Sequence, residues 1–290
     1  MIRIISIIHT SILIFFAAYY TSTALASSSA SDLKLYRLDC GRVHVDPKDV
    51  FSDTDEFPKQ TQDLVSSCYL IKHDTQWLLW DTGLPSGIAE SPNGVQNGPF
   101  HLSVNTLLIS QLAKLNLTPE DIDYVGLSHG HFDHTGNVNL FRDAQLIIQK
   151  AEYDFYATPD LARAYHMEPK LIDYFLTGKG RENVRKLEGD ADIFGDGSVT
   201  ALSLPGHTPG HMALKVILPE TGPVFLSGDQ WHFTGNRTKN GVPDFNYNRA
   251  DTLTSSKRLN RLIENTNGLL IIQHEPVHNG ALPLLPNYLK

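Results

Sequence analysis

The stretch LSHGHFDHTG, residues 127–136, places His129, His131, Asp133 and His134 within six consecutive positions. No run of charge surrounds it. Neutral imidazoles make poor core and add little as surface, so this density asks for a cause: a metal site, a pH switch or coincidence. The spacing suits a metal. His129 and His131, two apart on an extended loop, can turn their rings toward one ion, while Asp133 and His134 are offset toward a second.

Beyond this stretch a pattern recurs. DYVGLS (123–128) leads to His129, SVTALSLPG (198–206) to His207, GPVFLSG (222–228) to Asp229 and GLLIIQ (268–273) to His274. Each run is short, apolar and strand-like, and each ends at or one step from a potential ligand. Helical segments near 150–157, 159–176 and 250–265 separate several of them. Strands alternating with helices predict an α/β sheet, and sites in such proteins lie beyond the carboxyl ends of the strands. Upstream, LKLYRLDC (33–40), SSCYLIKH (66–73) and QWLLWDTG (76–83) read as strands. Residues 84–101, rich in Gly, Pro, Ser and Asn, predict a long loop of a kind that is often functional. Residues 102–117 carry apolar side chains at helical spacing, and TPED (118–121) is a helix start with proline at its first position.

Seven ligands follow. His129, His131 and His207 with Asp229 serve one ion; Asp133, His134 and His274 with the same Asp229 serve the other, because a carboxylate has two oxygens with which to bridge two cations. Imidazole and carboxylate together suit zinc and similar divalent metals, and a site without thiolates resists oxidation. A hydroxide bridging two such ions is a nucleophile at neutral pH, since coordination lowers the pKa of water.

The bulk of the chain sets the frame. Its 290 residues, 41% of them hydrophobic, are enough for a substantial core. The net charge is −8 and the pI about 5.9, with no basic cluster, which argues against a nucleic-acid or anionic-membrane partner. Residues 1–26 have the form of a secretory signal: Arg3, an apolar run through Ile12–Ala18, and small residues ending Ala24-Leu25-Ala26. Ser6, His9, Thr10 and Ser11 interrupt the apolar stretch and argue against the rival reading, an uncleaved membrane anchor. The expectation is an exported protein, periplasmic or extracellular, cleaved after Ala26, with no membrane in its mature form and one catalytic domain over 27–290. Two cysteines, Cys40 and Cys68, fit either a disulfide or two separate buried thiols in adjacent strands.

HGHFDH matches the H-x-H-x-D-H motif of the metallo-β-lactamase superfamily. DTG (81–83), LPGHTPGH (204–211), SGD (227–229) and QHEP (273–276) fall in that superfamily's order and approximate spacing. The resemblance implies an αββα sandwich with two metals at one edge. Within the superfamily, LSHGHFDHTGN, the following IIQKAEYD, LEGD (187–190) and SGDQWHF resemble the N-acyl-homoserine lactone lactonases. That resemblance implies a small-molecule lactone or ester substrate and attack of a metal-bridging hydroxide on its carbonyl, with Asp133 passing a proton to the leaving ring oxygen. Many such lactonases carry a tyrosine three positions after the bridging aspartate; here that position is His232, either a donor to the developing oxyanion or a pocket wall. Dimers are frequent in the family, which leaves a homodimer open, with 84–101 able to contribute to its interface.

Other histidines read differently. His211, at the start of the next strand, suits a structural hydrogen bond, and Asp81 is placed to orient the ligand loop. His44, His73, His101, His166 and His278 have no such context and default to surface or packing. Phe100, Leu102, Tyr153, Phe155, Tyr156, Tyr165, Met167, Tyr174 and Phe175 are candidates for an acyl-chain channel, each equally at home in an ordinary core. Competing activities on the same scaffold are organophosphate or aryl-ester hydrolysis and a thioesterase of the glyoxalase II kind. A β-lactamase fits less well, since those enzymes usually lack a bridging carboxylate. From another class, a metal-binding or lactone-sequestering protein remains, against which the intact ligand set speaks.

Overall fold

Side chains on a strand alternate between its two faces. In β1 (Leu33–Val45), Leu33 and Leu35 enter one core while Tyr36 and Leu38 enter another. A strand buried on both faces belongs to a sheet covered on both faces. The computed structural model describes residues 32–290; the expected signal sequence lies outside the described residues.

The remaining strands are β2 (Gln62–His73), β3 (Gln76–Trp80), β4 (Val95–Asn97), β5 (Phe100–Ser103), β6 (Tyr124–Gly126), β7 (Gln145–Gln149), β8 (Val184–Leu187), β9 (Ala191–Asp192), β10 (Val199–Ser203), β11 (Met212–Leu218), β12 (Gly222–Leu226) and β13 (Leu269–Ile271). They form an eight-stranded sheet, in the order β4-β5-β1-β2-β3-β6-β7-β8, and a five-stranded sheet, β13-β12-β11-β10-β9. Helices are α1 (Leu108–Ala113), α2 (Phe132–Thr135), α3 (Lys150–Tyr156), α4 (Pro159–Ala164), α5 (Asp173–Leu176), α6 (Thr234–Lys239), α7 (Arg249–Thr266) and α8 (Pro276–Gly280).

Three apolar cores give the layering. Tyr69, Ile71, Leu78, Trp80 and Ile147 of the large sheet meet Val199, Leu214, Val216, Val224 and Leu226 of the small one. On the outer face of the large sheet, Leu70, Leu79, Val125 and Leu146 pack on Leu108 and Leu112 of α1, Tyr153 of α3 and Phe175 of α5. On the outer face of the small sheet, Leu202, Ala213 and Phe225 pack on Leu259 and Ile263 of α7. Helix, sheet, sheet, helix is the αββα sandwich that the motifs implied. No helix among the described residues is long and apolar enough to cross a membrane.

Three local expectations need correction. Residues 102–117 are not one helix: Phe100–Ser103 pairs antiparallel with Arg42–Val45 of β1, and only the six residues of α1 are helical. The segment 84–101 is not a bare loop, because Val95–Asn97 folds back on Phe100–Leu102 as a short hairpin that extends the large sheet. The stretch 159–176 breaks into α4, a 3-10 turn at Pro169–Ile172 and α5, since His166 adopts a left-handed conformation (φ 59°) and Pro169 cannot continue a helix. The cysteine question resolves as a disulfide between Cys40 on β1 and Cys68 on β2, with Cα atoms 5.9 Å apart.

Candidate metal centre

The site lies where several strands end together. β6 runs parallel to β3 and to β7, and β13 parallel to β12, so the chain leaves all of them at one edge of the sandwich. Asp81 follows β3, His129 follows β6, His207 follows β10, Asp229 follows β12 and His274 follows β13. Asp133 and His134 sit on the single turn α2, directly after His131.

The side chains gather into two clusters: His129, His131, His207 and Asp229, and beside it Asp133, His134 and His274. In the first, Nδ1 of His131 lies 3.0 Å from Nε2 of His129 and 3.1 Å from Nε2 of His207. His131 donates its other nitrogen, Nε2–H, to the Tyr165 carbonyl at 3.1 Å, which leaves Nδ1 as a lone pair pointing inward. Asp229 Oδ2 completes this cluster, 3.6 Å from His129 Nε2 and 3.5 Å from His207 Nε2. In the second, His134 Nε2 and His274 Nε2 are 3.2 Å apart, and Asp229 Oδ1 lies 3.2 Å and 3.0 Å from them. Asp133 Oδ2 is 3.7 Å from His134 Nε2 and 3.6 Å from His274 Nε2. The two oxygens of Asp229 thus face different clusters.

Electrostatics separates the clusters. Burial drives the His129 and His207 imidazoles well below their usual range, and brings His131 down to about 4. Burial acts the same way on His134 and His274, but the carboxylates of Asp229 and Asp133 outweigh it and raise both. Burial likewise opposes charge on Asp229, yet the surrounding histidines, His274 and His134 foremost, hold its carboxyl well below the normal range. Buried Asp229 Oδ1 and His207 Nδ1 have no hydrogen-bond partner. Convergent lone pairs, two carboxylates and an unsatisfied buried oxygen are the donor set a divalent cation satisfies, so the residues fit the metals that the motifs imply.

A surrounding network fixes the rings. His274 Nδ1–H donates to the Val65 carbonyl at 2.7 Å, which turns Nε2 inward. Asp81, itself at φ 59°, accepts from Ser128 N–H at 2.7 Å through one oxygen and pairs with His134 Nδ1 at 2.9 Å through the other. The Gln273 amide donates to Asp81 at 2.9 Å while its oxygen accepts from Trp80 Nε1 and Gly228 N–H. His211 lies outside the clusters: it donates from Nδ1 to the Leu204 carbonyl at 3.0 Å and accepts from Asp229 N–H at 2.9 Å. His232 is buried, with Nε2 3.1 Å from Asp229 Oδ2 and Nδ1 unpartnered.

Above the clusters opens a pocket whose floor includes His131, Asp133, Asp229, His232 and His274, and whose walls include Val43, Phe51, Leu64, Phe100, Phe132 and Phe245. Of the nine apolar and aromatic channel candidates, only Phe100 lines it. Tyr165 borders the adjoining groove, Tyr153, Phe155, Tyr156, Met167 and Phe175 are core, with Tyr174 packed against them, and Leu102, on the hairpin itself, belongs to the cluster of Val43, Phe51 and Leu64. Exposed His166 stands at the pocket mouth; His44, His73, His101 and His278 bond elsewhere, to Asp63, Asp196, the Asn93 carbonyl and Ile272 N–H. Sequence reasoning missed Phe51 and Phe245, which reach the pocket from distant segments. It also missed Gln273, although it adjoins His274, and Glu152, whose buried carboxyl is pushed up to about 7 by burial against the pull of backbone N–H groups.

The chain matches the metallo-beta-lactamase superfamily over residues 61–274. It is 30% identical to an N-acyl homoserine lactonase of a Bacillus species, over 88% of this chain and 98% of that protein. To the N-acyl homoserine lactonase AttM of Rhizobium radiobacter it is 30% identical, over 72% of this chain and 81% of that one. The crystal structure of a quorum-quenching N-acyl homoserine lactone hydrolase superposes with a TM-score of 0.74 at 25% identity, over 88% of this chain and 98% of that one. With the motif, the sandwich and the paired clusters all in place, the chain belongs to the metallo-beta-lactamase superfamily.

Proposed function

We propose that this protein, a metal-dependent hydrolase, opens the lactone ring of N-acyl homoserine lactones at a two-metal centre. Its ligands would be His129, His131, His207 and Asp229 for one ion and Asp133, His134, His274 and the same Asp229 for the other. The carrying observation is Asp229, whose Oδ2 faces the first cluster and whose Oδ1, lacking any hydrogen-bond donor, faces the second. The relatives named as lactonases support the substrate class.

Two zinc or similar divalent ions, when bound, supply Lewis acidity and a hydroxide nucleophile at neutral pH. Every other duty falls to the chain. The phenylalanine-rich wall takes the acyl chain and keeps water from the reacting ester. As hydroxide adds to the lactone carbonyl, Asp133, part-exposed on the pocket floor, would take the proton of the added hydroxyl and pass it to the ring oxygen as the ring C–O bond breaks, leaving a carboxylate and an alcohol. His232 donates from its ring to the carbonyl oxygen as negative charge builds there.

Metal analysis with a rate panel tests this. About two equivalents of divalent metal per chain are expected, with activity abolished by chelation, and with N-acyl homoserine lactones hydrolysed faster than a phosphotriester, a thioester or a β-lactam. One tightly bound metal in a fully active enzyme overturns the two-metal centre; a faster thioester or phosphotriester overturns the substrate. We also propose that the mature chain begins near Ser27 and works outside the cytoplasm, a reading the disulfide supports. Mass spectrometry of exported protein that retained residues 1–26 would refute it.

A further inference from the structure

The segment IIQKAEYD (147–154) carries a side chain that the reaction above leaves idle. Glu152, in α3, is fully buried, and its charge partners are backbone amides rather than a cation. Oε1 accepts from Gly130 N–H at 2.7 Å and Oε2 accepts from Gly210 N–H at 2.7 Å. Tyr156, one helical turn on, donates its hydroxyl to the Gly130 carbonyl. The two peptide groups flanking Gly130, one leading to His129 and one to His131, are therefore both held by α3. Gly210 follows His207 by three residues.

The approach is tight enough to demand glycine at both places. A Cβ on Gly130 would lie 2.8 Å from Met167 Sδ and 2.9 Å from the Tyr156 ring, and one on Gly210 would lie 2.6 Å from the Glu152 Cβ and backbone nitrogen. A buried carboxylate is costly unless its oxygens are satisfied, and here each oxygen accepts from a different loop's N–H group. Of the four histidines nearest these contacts in the chain, His129, His131 and His207 belong to the first cluster and His211 to neither; none belongs to the second.

We propose that Glu152, assisted by Tyr156, is a positioning residue: a clasp that ties the His129–His131 loop to the His207 loop and so sets the three-histidine site before metal arrives. The proposal rests on the two-metal reading above. Its test is metal retention, not activity alone. Glu152→Ala, Glu152→Gln and Tyr156→Phe would be dialysed against a mild chelator, their metal counted, and the visible spectra of their cobalt forms recorded. His207→Ala and His274→Ala would serve as markers for loss of the first and second site.

Glu152→Ala should keep one metal, with affinity at the first site lowered roughly 10–100-fold, as for other residues that orient ligands from behind, and its cobalt spectrum should match that of His207→Ala. Glu152→Gln keeps the reach and one acceptor but turns an NH₂ toward a glycine N–H, so it should fall between Ala and wild type. Tyr156→Phe should show the smallest loss, at the same site. Wild-type affinity at both sites in Glu152→Ala would overturn the clasp, as would parallel loss of both metals with a large fall in the melting temperature of the metal-free protein. If Glu152→Ala does not fold, Gln and Phe variants with unchanged first-site affinity overturn it equally. A wild-type protein that binds no metal refutes the two-metal reading instead.

Discussion

The two candidate ligand clusters share an edge, an aspartate that faces both and a residue vocabulary, yet they are prepared by opposite means. In the first, desolvation keeps His129, His131 and His207 neutral, with lone pairs available, while the Tyr165 carbonyl holds the His131 ring and Glu152 holds the loops through their glycine N–H groups. In the second, two carboxylates surround His134 and His274 and draw positive charge toward them, and a side-chain network through Asp81 and Gln273 holds the geometry. Burial and opposite charge move an imidazole in opposite directions. One site uses both, and the difference predicts that two metals bound there would answer differently to the same insult.

Asp229 is where the comparison collapses, because it belongs to both clusters. Asp229→Ala removes the shared oxygens and leaves the imidazoles of both sides converging without a counter-charge. Loss of both metals is expected, with turnover down by at least about 1,000-fold, or roughly 4 kcal/mol. Elemental analysis that found two metals in this variant would mean that the carboxylate does not bridge.

Asp81 offers a one-sided test, since the only candidate ligand its side chain pairs with is His134 of the second cluster. Asp81→Asn keeps the size but cannot both accept from Ser128 N–H and pair with His134 and Gln273 as now. Metal affinity at the second site should fall about 10–100-fold while the first site keeps its ion, the mirror image of Glu152→Ala. Equal loss at both sites would show the network to be common property.

Acid should separate the same pair without mutation. A proton competes with a metal for each ring nitrogen. His134 and His274, raised by their carboxylates, bind that proton at higher pH than a free imidazole, whereas His131 stays neutral down to about 4. As pH falls, the second-site ion is expected to leave first, in a two-step release followed by metal indicator. A single step for both ions would break the distinction.

The floor of the site was legible in sequence because its chemistry is local. HGHFDH is one loop, and His207, Asp229 and His274 each follow a strand end, so spacing and strand ends together pick out the side chains that the fold gathers. The walls were not legible. Phe51 and Phe245 meet near His232 only because the 3-10 turn after β1 and the loop before α7 fold to one rim, and no period in the sequence records that. The channel candidates were drawn from the aromatic-rich 153–175 segment, whose apolar side chains instead fill the core beneath α3 and α5. The false helix at 102–117 has a similar cause: Leu108 and Leu112 have helical spacing, but pairing of Phe100–Ser103 with β1 overrides it upstream. Glu152 was within a quoted motif, but a lone glutamate gives no sign of its burial.

The smallest effect is expected at His232, which belongs to neither cluster but touches both. Its ring lies parallel to that of His274, at 7° and 5.7 Å between centroids, and stands 4.3 Å from the Phe51 ring, with Nε2 beside Asp229. Losing one oxyanion donor costs other hydrolases about 100-fold or more; here the metals would carry most of that charge, so His232→Ala should lower turnover roughly 10-fold, about 1.4 kcal/mol, with metal content intact. His232→Tyr should recover much of the lactone activity, because a phenol supplies the donor common among the lactonases. Metal analysis separates this from the other role its position offers. If His232→Ala releases metal, its contact with Asp229 matters more than any contact with substrate. If turnover does not change, the imidazole is a wall of the pocket, and the donor must be sought among the other groups on the pocket floor.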